Sequence, residues 1–337
     1  MKVIVIGGTG LLGLAGVKEL IKNKHQVKSI SLEDSANSLT LPKEAEFIFA
    51  DYELMSDEEI REHFQGYDSL VFASGVDERS EYKGDLPLNE YLKTKNITPM
   101  VRLIKIAKEL KFKSAIILGS YFTYLDRLWE NLYLYETHPY IKNRLDQSNE
   151  AFSFSDKDFA VSVLEISYVF GTQPGRKPVW TFLVEQIERM KLFTFYPKGG
   201  TAMITVSQVG QAISKSVETA KGAKTIPLGY YNLTWKKMLK IIHKAMGYKN
   251  RKVISLPKFV YKLVMLRYHR KYLKLNIQSG LNLKALPEIM TRKAYIDNHY
   301  LKNTLKVKDD DLEKAIKDSV ILSLEFVNGY GNIYEMK

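Results

Sequence analysis

The chain has 337 residues, 45% of them apolar and 26% charged. That length suits one large α/β unit or two domains, and that apolar fraction fills a core able to remove roughly three quarters of the unfolded surface from water. Disordered and collagen-like classes are therefore excluded, and with no cysteine so are disulfides, thiolate nucleophiles and cysteine metal sites. No apolar run approaches the ~20 residues of a spanning helix, and a strand starting at Lys2 leaves no room for a secretory leader, so a cytoplasmic protein is expected. The net charge of +12 favours nucleic acid, acidic lipid or phosphorylated small molecules as partners. The lysines are spread along the chain without an interleaved aromatic block, so nucleic acid is not the expected partner. The six histidines form no pair at metal-ligand spacing, and no metal site is expected.

In chain order, the apolar run Val3 to Ile6 predicts a strand, followed by glycines and then Leu12, Ala15, Val17, Leu20 and Ile21 at helical spacing. Val27 to Leu32, Glu46 to Ala50 and Ser69 to Ala73 read as further strands, and Ser56 with Glu59 forms a capping box for a helix ending near Phe64. One long helical pattern runs from about Asn89 to Leu110. Ser114 to Gly119 is a buried-strand run, a helix from Pro139 to about Phe154 follows, and Ala160 to Ile166 is another strand. Strands alternating with helices predict an α/β protein with a doubly wound parallel sheet over residues 1–170. Beyond Gly171 the texture becomes turn-rich. A smaller mixed C-terminal substrate-side subdomain is expected over 171–200 and 233–337, with segments of about 201–232 returning to the main sheet. Ser207 to Thr219 and Thr234 to Ala245 read as helices belonging partly to that sheet. Pro257 opens a basic amphipathic stretch, Lys258 to Leu275, whose Phe259, Leu263, Leu266 and Leu273 face either a core, the expected reading, or a membrane surface.

Gly7, Thr9, Gly10, Leu11, Leu12 and Gly13 span the turn between the first strand and the first helix. Amides at a helix N-terminus carry partial positive charge, and glycine admits a pyrophosphate where a Cβ would collide. In this strand–turn–helix setting the pattern predicts a dinucleotide site. The end of the second strand offers Ser31 or Glu33 to the adenosine ribose. Glu33 would repel a 2′-phosphate and no arginine stands there, so NAD is expected, with NADP the alternative. Asp51 is a candidate partner for the adenine amino group.

Together these blocks resemble the extended short-chain dehydrogenases/reductases, the NAD-dependent epimerase/dehydratase family. Thr9 to Gly13 is similar to the family's cofactor loop, and Asp68 to Ala73 to its fourth strand, which ends beside the cofactor. Asn96, Ser120, the helix opening at Pro139-Tyr140, Ser167 to Gly171, Tyr231 to Trp235 and Leu256-Pro257 resemble later family segments. The resemblance implies a Rossmann fold and a homodimer. It also implies Tyr140 as acid/base, Ser120 as hydrogen-bond partner of the substrate oxygen, and a cation four residues after the tyrosine. Here that cation is Arg144 in place of the family's lysine. Arginine keeps the charge but is bulkier at the nicotinamide ribose.

Where the family's dehydratases carry an acidic pair after the hydroxyl residue, this chain has Tyr121 and Phe122. The strand Thr201 to Val206 lacks the arginine that epimerases present to a diphosphate, leaving Arg176 as a substitute. The expected activity is hydride transfer between nicotinamide and a secondary alcohol or ketone of a small-molecule substrate, sugar-like bodies among the candidates. The alternative is a catalytically weakened dinucleotide-binding sensor or scaffold that binds RNA or protein through its basic surface.

Overall fold

A computed structural model describes residues 1–32, 41–79 and 81–329. Seven parallel strands form the main sheet. Across the sheet they run Ala223–Leu228, Ala160–Ile166, Ser114–Ser120, Ser69–Phe72, Lys2–Ile6, Gln26–Ser31 and Glu46–Phe49. The order reverses direction beside Lys2–Ile6, whose residues 3–6 pair with Ser69–Phe72 on one side while the strand pairs with Gln26–Ile30 on the other. In open α/β sheets ligands bind at such a switch point, outside the carboxyl ends of the strands.

Both faces of the sheet are covered, as the near-continuous apolar strands require. On one face the helix Leu11–Lys22 packs through Val17 and Leu20 beside Val206–Thr219, in a cluster with Val209, Ile213 and Val217. Gly16 and Gly210 allow that approach: a Cβ at Gly210 would stand 2.5 Å from the Ala15 carbonyl oxygen. On the other face Ile60 and Phe64, from Asp57–Phe64, pack with Met100, Leu103 and Ala107. The capping box between Ser56 and Glu59 is present with both of its hydrogen bonds.

Three departures from the sequence reading have physical causes. The expected single helix from Asn89 to Leu110 is two, Leu88–Asn96 and Thr98–Glu109, divided at Ile97. Pro99 has no N–H to give to the carbonyl four residues back, so the ladder is interrupted there. The helix Trp235–Ala245 does not cover the main sheet. Its Trp235, Met238, Leu239 and Ile242 join Trp180, Leu183, Leu312 and Ile316 in a separate C-terminal core. Third, the basic segment forms the helix Lys258–Lys274, but none of its residues is buried, and Phe259, Leu263 and Leu273 are 64–68% exposed. The core reading of that stretch is thus overturned.

The C-terminal half builds small sheets of its own. Gly200–Thr205 pairs with Tyr231–Thr234, Tyr168–Phe170 and Lys293–Ala294, and Phe193–Pro197 forms a two-stranded parallel ribbon with Lys252–Leu256. Besides apolar packing of Tyr140 and Ile141 against Leu281 and Ile289, hydrogen bonds join this half to the start of the helix Pro139–Phe152: the Tyr140 amide donates to the Gly280 carbonyl at 2.8 Å, and the Asn282 amide donates to Nδ1 of the N-cap His138 at 3.0 Å.

Burial holds His138 down at about 4. The unfolded chain takes up that proton near 6.5, so the neutral histidine's contribution is complete above that pH. It should decline by on the order of 3 kcal/mol as pH falls through the folded-state value. His138→Asn keeps an acceptor and removes the titration. Urea unfolding of both proteins between about pH 4 and 7 should therefore give converging stabilities at the acid end; a difference independent of pH would refute the assignment.

Candidate active site

The turn after the first strand is shaped by close backbone approach. Gly7 has φ +79°, and a Cβ there would lie 2.9 Å from the Ala73 carbonyl oxygen. A Cβ at Gly13 would lie 2.2 Å from the Gly7 carbonyl oxygen. Only a backbone without these atoms brings the first turn of Leu11–Lys22 against the strand end. Gly10 is the N-cap and supplies no side chain to cap the helix. The first-turn amides of Leu11 and Leu12 have no intrahelical carbonyl, and both residues line a cavity of about 760 Å³. An anion there meets N–H groups and the positive end of the helix dipole. The residues present therefore fit a dinucleotide diphosphate.

Across the cavity stand Ser120, Tyr140 and Arg144. Ser120 ends its strand and accepts weakly from the Phe122 amide at 3.4 Å. The turn beyond it is held by Thr123, whose hydroxyl donates to the Ser120 carbonyl at 2.7 Å and also to Glu165. Glu165 is buried and paired with Arg127 at 2.6 Å, which fastens Phe122–Leu128 to the neighbouring strand. Tyr140 and Arg144 are one helical turn apart and share a face. The Arg144 guanidinium carbon lies 5.8 Å from the centre of the tyrosine ring, Nη2 donates to the Leu118 carbonyl, and the buried Nε has no partner among the described residues.

Burial pushes the Tyr140 phenol up to about 12; the Arg144 charge and a hydrogen bond from Ser120 oppose that rise, while Glu78 and Asp77 add to it. The cation and the serine therefore favour the phenolate in an otherwise unfavourable setting.

Of the residues singled out in the sequence, Gly10, Leu11, Leu12, Ala73, Ser120, Tyr140 and Arg144 line this one cavity. Gly7 and Gly13 shape the turn behind it. Thr9 is buried, its amide donating to Ser31 Oγ at 3.3 Å and its carbonyl accepting from Gln173 Nε2 at 2.9 Å. Ser31 is also buried, and its hydroxyl is shared with Thr9 and Ser29. Glu33 lies outside the described residues. Asp51 accepts from the Glu53 amide at 2.9 Å, closing a turn. Asn96 is a brace: its Oδ1 accepts from the Val76 amide at 2.8 Å and its Nδ2 donates to Asn143 on the tyrosine helix at 2.8 Å. Arg176 is not among the cavity residues.

Two features of the cavity escaped the sequence reading. Asp77, Glu78 and Arg79, which follow the end of the fourth strand at Phe72 after the intervening residues 73–76, enter the cavity wall. Charged residues at a strand's carboxyl end beside the switch point are a usable signal. Burial, with Asp77 beside it, pushes the Glu78 carboxyl up, against the pull of Arg79 and Arg144. The opposite wall is aromatic and aliphatic: Trp180, Met190, Tyr196, Tyr261, Tyr268 and Met290 contribute, the first two from a turn and helix after Gly171. Tyr261, Tyr268 and Tyr272 recur at helical spacing along Lys258–Lys274, a stripe visible in the sequence once both faces of that helix are considered.

A family model described as the NAD dependent epimerase/dehydratase family matches residues 3–203. No curated protein matches the sequence. Among solved structures the chain is similar to gox2253, at 16% identity, TM-score 0.72, with 98% of this chain and 99% of that one covered. It is similar to a UDP-glucuronic acid 4-epimerase from Bacillus cereus in complex with NAD, at 14% identity, TM-score 0.67, with 96% and 99% covered. A UDP-N-acetylglucosamine 4-epimerase from Methanobrevibacter ruminantium M1, in complex with UDP-N-acetylmuramic acid, gives 17% identity and TM-score 0.66 over 97% and 98%. At these identities the likeness is one of fold.

Gly13→Ala sets a methyl group against the Gly7 carbonyl. It is expected to lower stability by about 1–3 kcal/mol and to weaken dinucleotide affinity by reshaping the amide turn. Thermal unfolding and fluorescence titration with NAD check both; unchanged affinity would argue against phosphate contact at this turn.

Proposed function

Because this chain belongs to the NAD dependent epimerase/dehydratase family, we propose that it is an oxidoreductase or epimerase acting at a secondary alcohol or ketone, with Tyr140 exchanging the proton at the reacting oxygen. The amides of Leu11 and Leu12 would hold the diphosphate of NAD. The sequence that follows Ser31 carries Glu33 and Asp34 and no arginine up to Thr40, which favours NAD over NADP. When bound, the nicotinamide accepts or returns the hydride. The protein's part is then to orient the substrate and manage one proton. Ser120 donates to the reacting oxygen, Tyr140 gives or takes its proton, and Arg144 supplies the charge that eases ionisation of the phenol. The convergence of these three side chains with the open amides in one cavity is the observation that supports this most directly.

The substrate side is supplied by 171–200 and 233–337, through Trp180, Phe182, Met190, Leu256 and Tyr261. The solved epimerases named above act on UDP-sugars, but the lining of this cavity argues for a different body. Its arginines are Arg79 and Arg144. Arg79 is paired with Asp77 and donates to the Val179 carbonyl, and Arg144 engages Leu118. With Asp77 and Glu78 beside them, a second diphosphate would meet carboxylates, a paired Arg79, and only the partly engaged Arg144 beside Tyr140. We propose that the non-reacting part of the substrate is apolar or aromatic.

Tyr140→Phe is expected to lower turnover by about 10²–10⁴ while leaving NAD affinity unchanged; wild-type turnover in that variant would exclude the assignment. With Tyr140 titrating high, alcohol oxidation needs the rarer phenolate. Its kcat/KM should rise about tenfold per pH unit above neutrality, whereas ketone reduction uses the predominant phenol and stays flat. Arg144→Gln removes the opposing charge and should shift the rising limb to higher pH.

A second reading has one observation in its favour: Arg144 donates to the Leu118 carbonyl rather than standing free over the cavity. A protein that binds NAD and turns over no ketone or alcohol across a broad panel would fit a sensor or scaffold instead.

A further inference from the structure

The helix Lys258–Lys274 has no buried residue, an exposure that the enzyme reading leaves unexplained. It carries Lys258, Lys262, Arg267, Arg270, Lys271 and Lys274 and no acidic residue. Lys258 pairs with Glu288, and the other five cations make no ion pair with any described residue. At 100° per residue, Tyr261, Met265, Tyr268 and Tyr272 fall on one side, and these are the residues that enter the cavity wall. Phe259, Leu263, Leu266 and Leu273 fall on the opposite side together with Arg270. Phe259, Leu263 and Leu273 are 68%, 64% and 67% exposed, and Leu275 just beyond is 49% exposed.

On the adjoining ribbon Phe193, Phe195 and Ile254 are also exposed; Ile254 stands opposite Phe195 in register, and Phe195 borders the cavity as well. At the far edge of the ribbon, Lys236, Lys240, Lys244, Lys249 and Lys252 line a concavity of about 670 Å³ that Ile254 also borders.

We infer that the helix Lys258–Lys274 and the adjoining ribbon form a docking surface for an anionic membrane. An interfacial helix buries its large apolar side chains at the headgroup and acyl boundary, while flanking lysines and arginines lie along it with their charges at the phosphates. Both halves of that requirement are met on one face. Two other occupants are disfavoured by the same residues. A second copy of the helix would bring two unpaired cationic rows together. Nucleic acid would match the cations but would leave the phenylalanines and leucines facing phosphate and water. Docking would set the cavity's roof against lipid, a placement that rests on the apolar-substrate reading above. The docking itself does not, and it is measured without substrate.

The test is co-sedimentation of the full chain with phosphatidylcholine vesicles, with and without phosphatidylglycerol as about one third of the lipid. Binding is expected with the anionic vesicles at low salt and should be lost at high salt, where the Debye length falls to a few ångströms. The triple variant Lys262→Gln, Arg267→Gln, Arg270→Gln should lower the partition roughly a hundredfold. The triple variant Phe259→Ser, Leu263→Ser, Leu273→Ser should also lower it, with thermal unfolding confirming that each variant remains folded. The inference fails on any of four results: no sedimentation with anionic vesicles, equal binding to neutral ones, undiminished binding by both folded variants, or self-association through this face that the serine variant abolishes. An RNA mobility shift without vesicle binding would overturn it in favour of nucleic acid.

Discussion

The arrangement of the candidate site depends on a close backbone approach at two glycines. Gly13 rests on the Gly7 carbonyl with no room for a methyl group, and Gly7 in turn lies against Ala73 at the end of the fourth strand. These contacts place the start of the first helix at the sheet's switch point, with its first amides unbonded and directed into the cavity. An N–H group without a partner is costly when buried, and here it is open to an incoming anion. A side chain at either glycine would separate helix from strand and move those amides away from the opposite wall.

That opposite wall is held by a different kind of constraint. The phenol of Tyr140 is buried and so resists ionisation, and the groups that offset this are few: Arg144 one turn along and Ser120 at the neighbouring strand end. Asn96 fixes the tyrosine helix to the loop after the fourth strand, and the Glu165–Arg127 pair fixes the turn that follows Ser120. The positions of the two hydroxyls therefore depend on polar braces that touch no substrate. Glu78 acts against the phenolate, so the charge on the wall is balanced and sensitive to small changes at any of these residues.

The hydride transfer we propose would require water to be kept from the reacting carbon, and the C-terminal half is placed to screen it. Its aromatic residues line the cavity from one side while the roof helix turns a second apolar row outward. A helix apolar on two sides and cationic along their borders has little net amphipathic asymmetry. It can pack a cavity and a second low-dielectric surface at once.

The parts of this protein legible in the sequence are those governed by neighbours along the chain. Strand limits followed the apolar runs, the helix start at Asp57 followed its capping box, the amide turn followed glycine spacing, and the common face of Tyr140 and Arg144 followed from 3.6 residues per turn. The break at Ile97 was also local, since Pro99 was there to be read. Other features had no local signature. Ser31 turned its hydroxyl inward, on the face it shares with Ser29, because the fold brought the Thr9 amide to it. Glu78 became a wall of the cavity because the sheet's order placed the fourth strand beside the first. Periodicity marked Phe259, Leu263 and Leu273 as one apolar stripe, but whether that stripe met protein or solvent depended on which of two apolar faces the cavity claimed. Backbone geometry and short-range spacing were thus determined by sequence alone. The direction of each face, and the company of most buried polar groups, were decided only by tertiary packing, because those depend on residues tens to more than a hundred positions apart.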